Sequence, residues 1–141
     1  MNWKLIFVLS LFGLGMAFAT VFWIPTKVEP GLWLVIFVIC ARLISKFAFS
    51  KYFLHGFLLG LVNCVWITAV HFFFLTSYLA NRPEMAEMNT GMPGSLPNHP
   101  RLVMVLVAPI IGAASGLILG LFAFLATKIN RKPAAIGIPP K

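Results

Sequence analysis

The sequence predicts an all-α integral membrane protein, a bundle of four transmembrane helices with both termini on the cytoplasmic side. Three observations lead there. Of the 141 residues, 60% are hydrophobic and only 10% are charged, against about 25% charged in a soluble domain. The apolar residues fall in blocks of about 18 or more, the length that crosses a bilayer's hydrocarbon core. The basic residues divide unevenly between the two sides that those blocks define.

The first predicted span covers residues 5–24 and stops at Pro25, which cannot continue a helix. Its start, "MNWKLIFVLSLFGLGMAFAT", with Ala17-Phe18-Ala19, also has the form of a signal peptide. The apolar run continues through Val21-Phe22-Trp23-Ile24 and exceeds a usual signal h-region, so an uncleaved helix is expected. The second span covers residues 31–49, with Pro30 at its first turn. The third, residues 52–79, is stopped by Asn81-Arg82-Pro83. The fourth, residues 102–129, has Pro100 near its first position, where the missing N–H costs nothing. Residues 80–100 form an outer loop too short to bury a core of its own. Residues 1–129 are thus a single transmembrane domain. The basic, proline-rich residues 130–141 are expected to be a disordered cytoplasmic tail.

Orientation follows from charge. Lys4, Arg42, Lys46, Lys51, Lys128, Arg131, Lys132 and Lys141 lie on one side. Lys27, Arg82 and Arg101 lie on the other, with all three acids, Glu29, Glu84 and Glu87. Eight of eleven Lys and Arg on one side make that side cytoplasmic. A multi-pass protein of a bacterial plasma membrane is expected. The net charge of +8 is mostly a topology signal, so no nucleic-acid partner is expected. A basic rim also attracts anionic lipid, at roughly 1 kcal/mol per residue near the surface.

Small residues recur at helical spacing. Gly56, Gly60, Asn63, Ile67 and His71 fall within an arc of roughly 80° on the third helix. Gly112, Gly116 and Gly120 recur every four residues on the fourth, with Pro109, Ala113, Ala123 and Thr127 on the same side. Such faces let two backbones approach closely, giving dispersion contacts that lipid does not match. Gly13 and Ala17 repeat the spacing on the first helix. Asn63 and His71 would leave polar groups unsatisfied in hydrocarbon, so both are expected in a dry contact against the fourth-helix glycines. His55 is expected near the cytoplasmic end, within reach of headgroups. Cys40 and Cys64 have no metal or redox spacing and read as small apolar packing residues.

Two features suggest chemistry. Arg42 lies about 16 Å into a helix that starts at Gly31. It either snorkels to the cytoplasmic interface or faces inward as a site for an anion. The outer loop carries Met85, Met88, Met92 and His99, donors that suit copper. The alternative is that these methionines are flexible apolar contacts. Ser115, inside "GAASG", lacks any specified base or oxyanion hole. The chain has no Asp and no Glu inside a predicted span, so a carboxylate proton relay is not expected. No enzyme activity, catalytic residue or cofactor is expected. The leading functional expectation is a structural or accessory component, a homo-oligomer or a companion to another membrane protein, assembling through the glycine seams. The alternatives are a small oligomeric transporter or channel using Asn63, His71 and the fourth-helix backbone, and an outer-face copper handler.

Overall fold

The computed structural model describes residues 1–94 and 98–130, apart from the side chains of Asn89 and Asn130. The predicted tail from residue 131 lies outside the described residues. Every described element is a helix: α1 (Trp3–Phe22), α2 (Glu29–Phe47), α3 (Tyr52–Phe73), α4 (Leu75–Ala80), α5 (Pro83–Thr90) and α6 (Pro100–Asn130). α1, α2, α3 and α6 are long and apolar enough to cross a membrane. They alternate in direction. One end of the bundle, here the basal end, holds the start of α1 and the α2–α3 turn. The opposite end carries α4 and α5.

Local chemistry sets the boundaries. The Asn2 side chain caps α1 by accepting from Leu5 N at 3.1 Å. Pro30 sits in the first turn of α2, and Pro100 opens α6. The α2–α3 turn places Lys51 in the left-handed region, at φ 55°. The Lys51 carbonyl accepts from both the backbone N–H and the Nδ1 of His55, each at 3.0 Å. His55 is buried, and its Nε2 accepts from Asn2 N at 3.0 Å. It pins the chain's start to the α2–α3 turn, so the expected reach to headgroups is corrected.

Two boundaries differ from the sequence expectation. The third span breaks at Phe74, whose φ −102° and ψ 29° leave the helical range, and α4 follows as a separate turn. The loop of residues 80–100 is in part helical, as α5.

α3 is the central helix. Against α6 it forms an antiparallel seam in which glycine meets glycine. A Cβ on Gly60 would collide with Gly116 Cα, and one on Gly56 would lie 2.7 Å from Gly120 Cα. One on Gly112 would lie 2.8 Å from Cys64 Cβ. The seam is made within one chain. Cys64 contributes more than small volume, because its thiol donates to Ala108 O at 2.9 Å. Below the seam, Ile6 and Leu9 of α1, Cys40, Ala41 and Ile44 of α2, Leu59 of α3 and Leu119 and Ala123 of α6 form the basal core. α1 runs parallel to α3 on its other side, through Ala17 and Val21 against Val70. The far face of α6, including Ile110, Leu117, Leu121 and Leu125, is exposed.

Candidate functional site

Toward the α5 end, a partly open cavity of about 660 Å³ lies between α2, α3 and α6. The volume falls in the range of small-molecule sites, and the space between bundle helices is a common place for one. α3 supplies Gly60, Asn63, Ile67, Thr68 and His71 to its wall, α2 supplies Trp33 and Phe37, and α6 supplies residues from Pro100 to Ser115. Tyr78 of α4 and Met85, Met88 and Met92 of the α5 segment line it as well.

The polar groups at this end are tied to the closing of helix ends. Arg82 is almost fully buried, at 2% exposure. Its guanidinium pairs with Glu29 at 2.6 Å and donates from Nε to Thr20 O and from Nη2 to Ile24 O, each at 3.3 Å. Asn81 donates to Val21 O at 2.7 Å. The last carbonyls of α1 have no intrahelical donors and carry the negative end of the helix dipole. Asn81 and Arg82 therefore cap α1 from another part of the chain. Glu29 also accepts from Trp33 Nε1 at 3.1 Å. Arg101 does the same service for α3, donating to Phe72 O at 3.3 Å.

His71 and Asn63 lie on the side of α3 that meets α1. His71 Nε2 stands 3.0 Å from Thr20 Oγ1, and Thr20 donates to Ala17 O at 2.9 Å. With the Thr20 proton directed there, Nε2–H is assigned as the donor of the His71–Thr20 bond, which leaves Nδ1 as an acceptor. The imidazole stacks on Tyr78 with centroids 4.2 Å apart, and Tyr78 faces the Arg82 guanidinium at 5.3 Å. Asn63 is buried against Gly13, where a Cβ would collide with its amide. Neither its Nδ2 nor its Oδ1 has a hydrogen-bond partner among the described residues.

These positions correct the expected dry contact of Asn63 and His71 against the α6 glycines. α3 has two small-residue faces, and the arc that holds both residues straddles them. Gly56 and Gly60 meet α6, while Asn63 and His71 reach Gly13 and Thr20 of α1 and also line the cavity.

The other predicted residues are dispersed. Arg42 is exposed and makes no inward site. α2 ends at Phe47, so Arg42 lies five residues, about 7 Å, from the basal end, an easy reach for a snorkelling side chain. Met85, Met88 and Met92 line the cavity, whereas His99 is exposed and does not. Thr20, Tyr78, Arg82 and Glu29 were missed as site residues. The available signal was Glu29, an acid beside the start of a span, with Arg82 and Asn81 beside the end of another.

Fold and site together define a class: an all-helical protein with four helices able to span a membrane and an apolar cavity with a polar rim among three of them. No family model, curated protein or solved structure matches the chain.

Proposed function

We propose that this protein is a small carrier-type membrane protein that binds a small, largely apolar molecule between α2, α3 and α6. The observation that carries the reading is the cavity of about 660 Å³ beside His71. Its walls are mainly aliphatic, aromatic and thioether groups, with a few polar atoms to orient a ligand. The glycine seam below it is packed backbone to backbone, which favours a one-sided cavity over a through-channel. The same seam weighs against assembly through the glycines, since both faces are engaged within the chain. The exposed apolar face of α6 suits lipid or a second membrane protein.

The eight-to-three charge split supports an orientation with the basal end cytoplasmic, so that the cavity opens to the outer side of a bacterial plasma membrane. Two of the three cations counted as outer, Arg82 and Arg101, are held by helix carbonyls, which ties them to the α5 end of the bundle.

The test uses the full chain in lipid nanodiscs with Trp33, which lines the cavity, as the sole tryptophan and Trp3, Trp23 and Trp66 changed to Phe. 4-Bromotoluene, whose bromine quenches indole on contact, should quench Trp33 saturably. Ala108→Phe, which places a large ring in the cavity and keeps Trp33 the sole tryptophan, should remove the saturable response. Quenching that rises linearly with bromotoluene in the lipid, and equally in the blocked variant, would sink the reading.

A further inference from the structure

The cavity wall discriminates among apolar molecules by charge, by its hydrogen-bonding groups and by ring contacts. Glu29 is the charged residue in the wall among the described residues, and it is paired with Arg82 at 2.6 Å. A charged ligand would leave water for a low-dielectric site with no counter-charge to meet it, at a high desolvation cost. The wall therefore selects a neutral molecule.

Thr68 and Ser115 already meet Cys64 and the Gly112 carbonyl, and the Asn63 amide is buried against Gly13 of α1; the group left for a ligand is Nδ1 of His71. Thr20 donates to Ala17 O, and His71 Nε2–H donates to Thr20. In the neutral ring Nδ1 then holds a lone pair. His71 is 8% exposed and lines the cavity. An acceptor there asks for a donor on the ligand. A hydroxyl meets it, whereas an ether or a ketone would bring a second acceptor against it.

The ring contacts come from Trp33 and Tyr78 and from the thioethers of Met85, Met92 and Met104. Aromatic edges and faces, and sulfur near a ring edge, both favour an aromatic partner over an alkyl chain.

We propose that the ligand is a neutral aromatic molecule bearing a hydroxyl group, whose O–H donates to His71 Nδ1 while its ring lies among the methionines. This rests on the binding reading above and adds the ligand's chemical class.

The experiment compares 4-bromophenol with 4-bromotoluene, which differ by hydroxyl against methyl, in the Trp33 reporter protein and in its His71→Phe variant. His71→Phe should weaken bromophenol about tenfold, the size of one hydrogen bond to a buried acceptor, and bromotoluene less than twofold. Each probe is its own reference across the two proteins, so its partition into lipid cancels. A second measurement needs no substitution. In 15N-histidine-labelled protein, the His71 Nδ1 resonance should move with bromophenol and not with bromotoluene. His55 holds the opposite tautomer, with Nε2 accepting from Asn2 N, and so serves as an internal control. If both probes bind saturably but His71→Phe weakens them alike, or Nδ1 does not respond to bromophenol, the hydroxyl inference is overturned and the binding reading stands. If neither binds saturably, the binding reading fails and takes this inference with it.

Discussion

Gly60→Ala adds one methyl group at the closest approach of α3 and α6. The methyl would collide with Gly116 Cα, lie 2.7 Å from Gly116 N and 3.3 Å from the Ser115 carbonyl carbon. All three are helix backbone, so no side chain can rotate aside and the helices themselves must separate. Overpacking costs about 1–3 kcal/mol where side chains absorb part of it, and a backbone-to-backbone collision belongs at the upper end, about 3 kcal/mol. Alanine's better helix propensity returns about 1 kcal/mol, leaving a net loss of about 2 kcal/mol. Gly15→Ala is the control, because a Cβ there meets nothing within 4 Å. It should be neutral or up to about 1 kcal/mol stabilising. Reversible unfolding in mixed micelles with increasing SDS, followed by circular dichroism, should therefore separate the two variants by about 2–3 kcal/mol. A separation below about 0.5 kcal/mol, the usual scatter of surface substitutions, would show that the α3–α6 seam is not closely packed. Gly13→Ala should fall between them, since its methyl meets the Asn63 side chain, which can shift.

Three further outcomes are expected. Arg82→Leu should lose about 3–5 kcal/mol in the same unfolding assay, because it leaves Glu29 unpaired and uncaps α1; a loss under 1 kcal/mol would place the guanidinium in water. Thr20→Val should cost about 0.6 kcal/mol and at most about 1.7, the range for polar contacts between membrane helices, so a large loss by denaturation would mean His71 has no alternative partner. Single cysteines at Met88 and Phe49, both exposed and at opposite ends of the bundle, should label from opposite sides with a membrane-impermeant maleimide, Met88 from outside; labelling of both from one side would refute the orientation proposed from charge.

Much of the scaffold is legible in the sequence. The four long helices follow from block length and from prolines at their ends. The four-residue spacing of Gly56 and Gly60, and of Gly112, Gly116 and Gly120, is visible as a pattern, and those glycines are where α3 meets α6. Which helix faces Asn63 and His71 was not legible. A 100° periodicity gives the direction of a side chain on its own helix and says nothing of which neighbour stands there, and α3 has neighbours on two sides. The Arg82–Glu29 pair was hidden for a related reason. The two residues are 53 positions apart, and each had an adequate local explanation as a charge on the outer side, outside the predicted spans. The cavity was hidden because it is a property of how three helices pack rather than of any one residue.

The cavity lies alongside the seam as well as beyond it. Contact between α3 and α6 is closest from Gly56 opposite Gly120 to Cys64 opposite Gly112, and Gly60, Cys64 and Ser115 of that stretch also line the cavity. Over the next two turns toward the α5 end, its wall is Ile67, Thr68 and His71 of α3 and Ala108, Val107 and Met104 of α6. The two helices stay joined there, through Cys64 Sγ on Ala108 O and Arg101 on Phe72 O. The open space therefore borders Trp33 and Phe37 of α2, beyond the level at which α2 packs through Cys40, Ala41 and Ile44. Ala108→Leu should fill part of that space without touching the polar groups of the wall. Loss of saturable bromotoluene quenching in that variant, with the His71–Thr20 bond retained in its 15N spectrum, would tie binding to the cavity. Undiminished quenching would mean that bromotoluene meets Trp33 outside it.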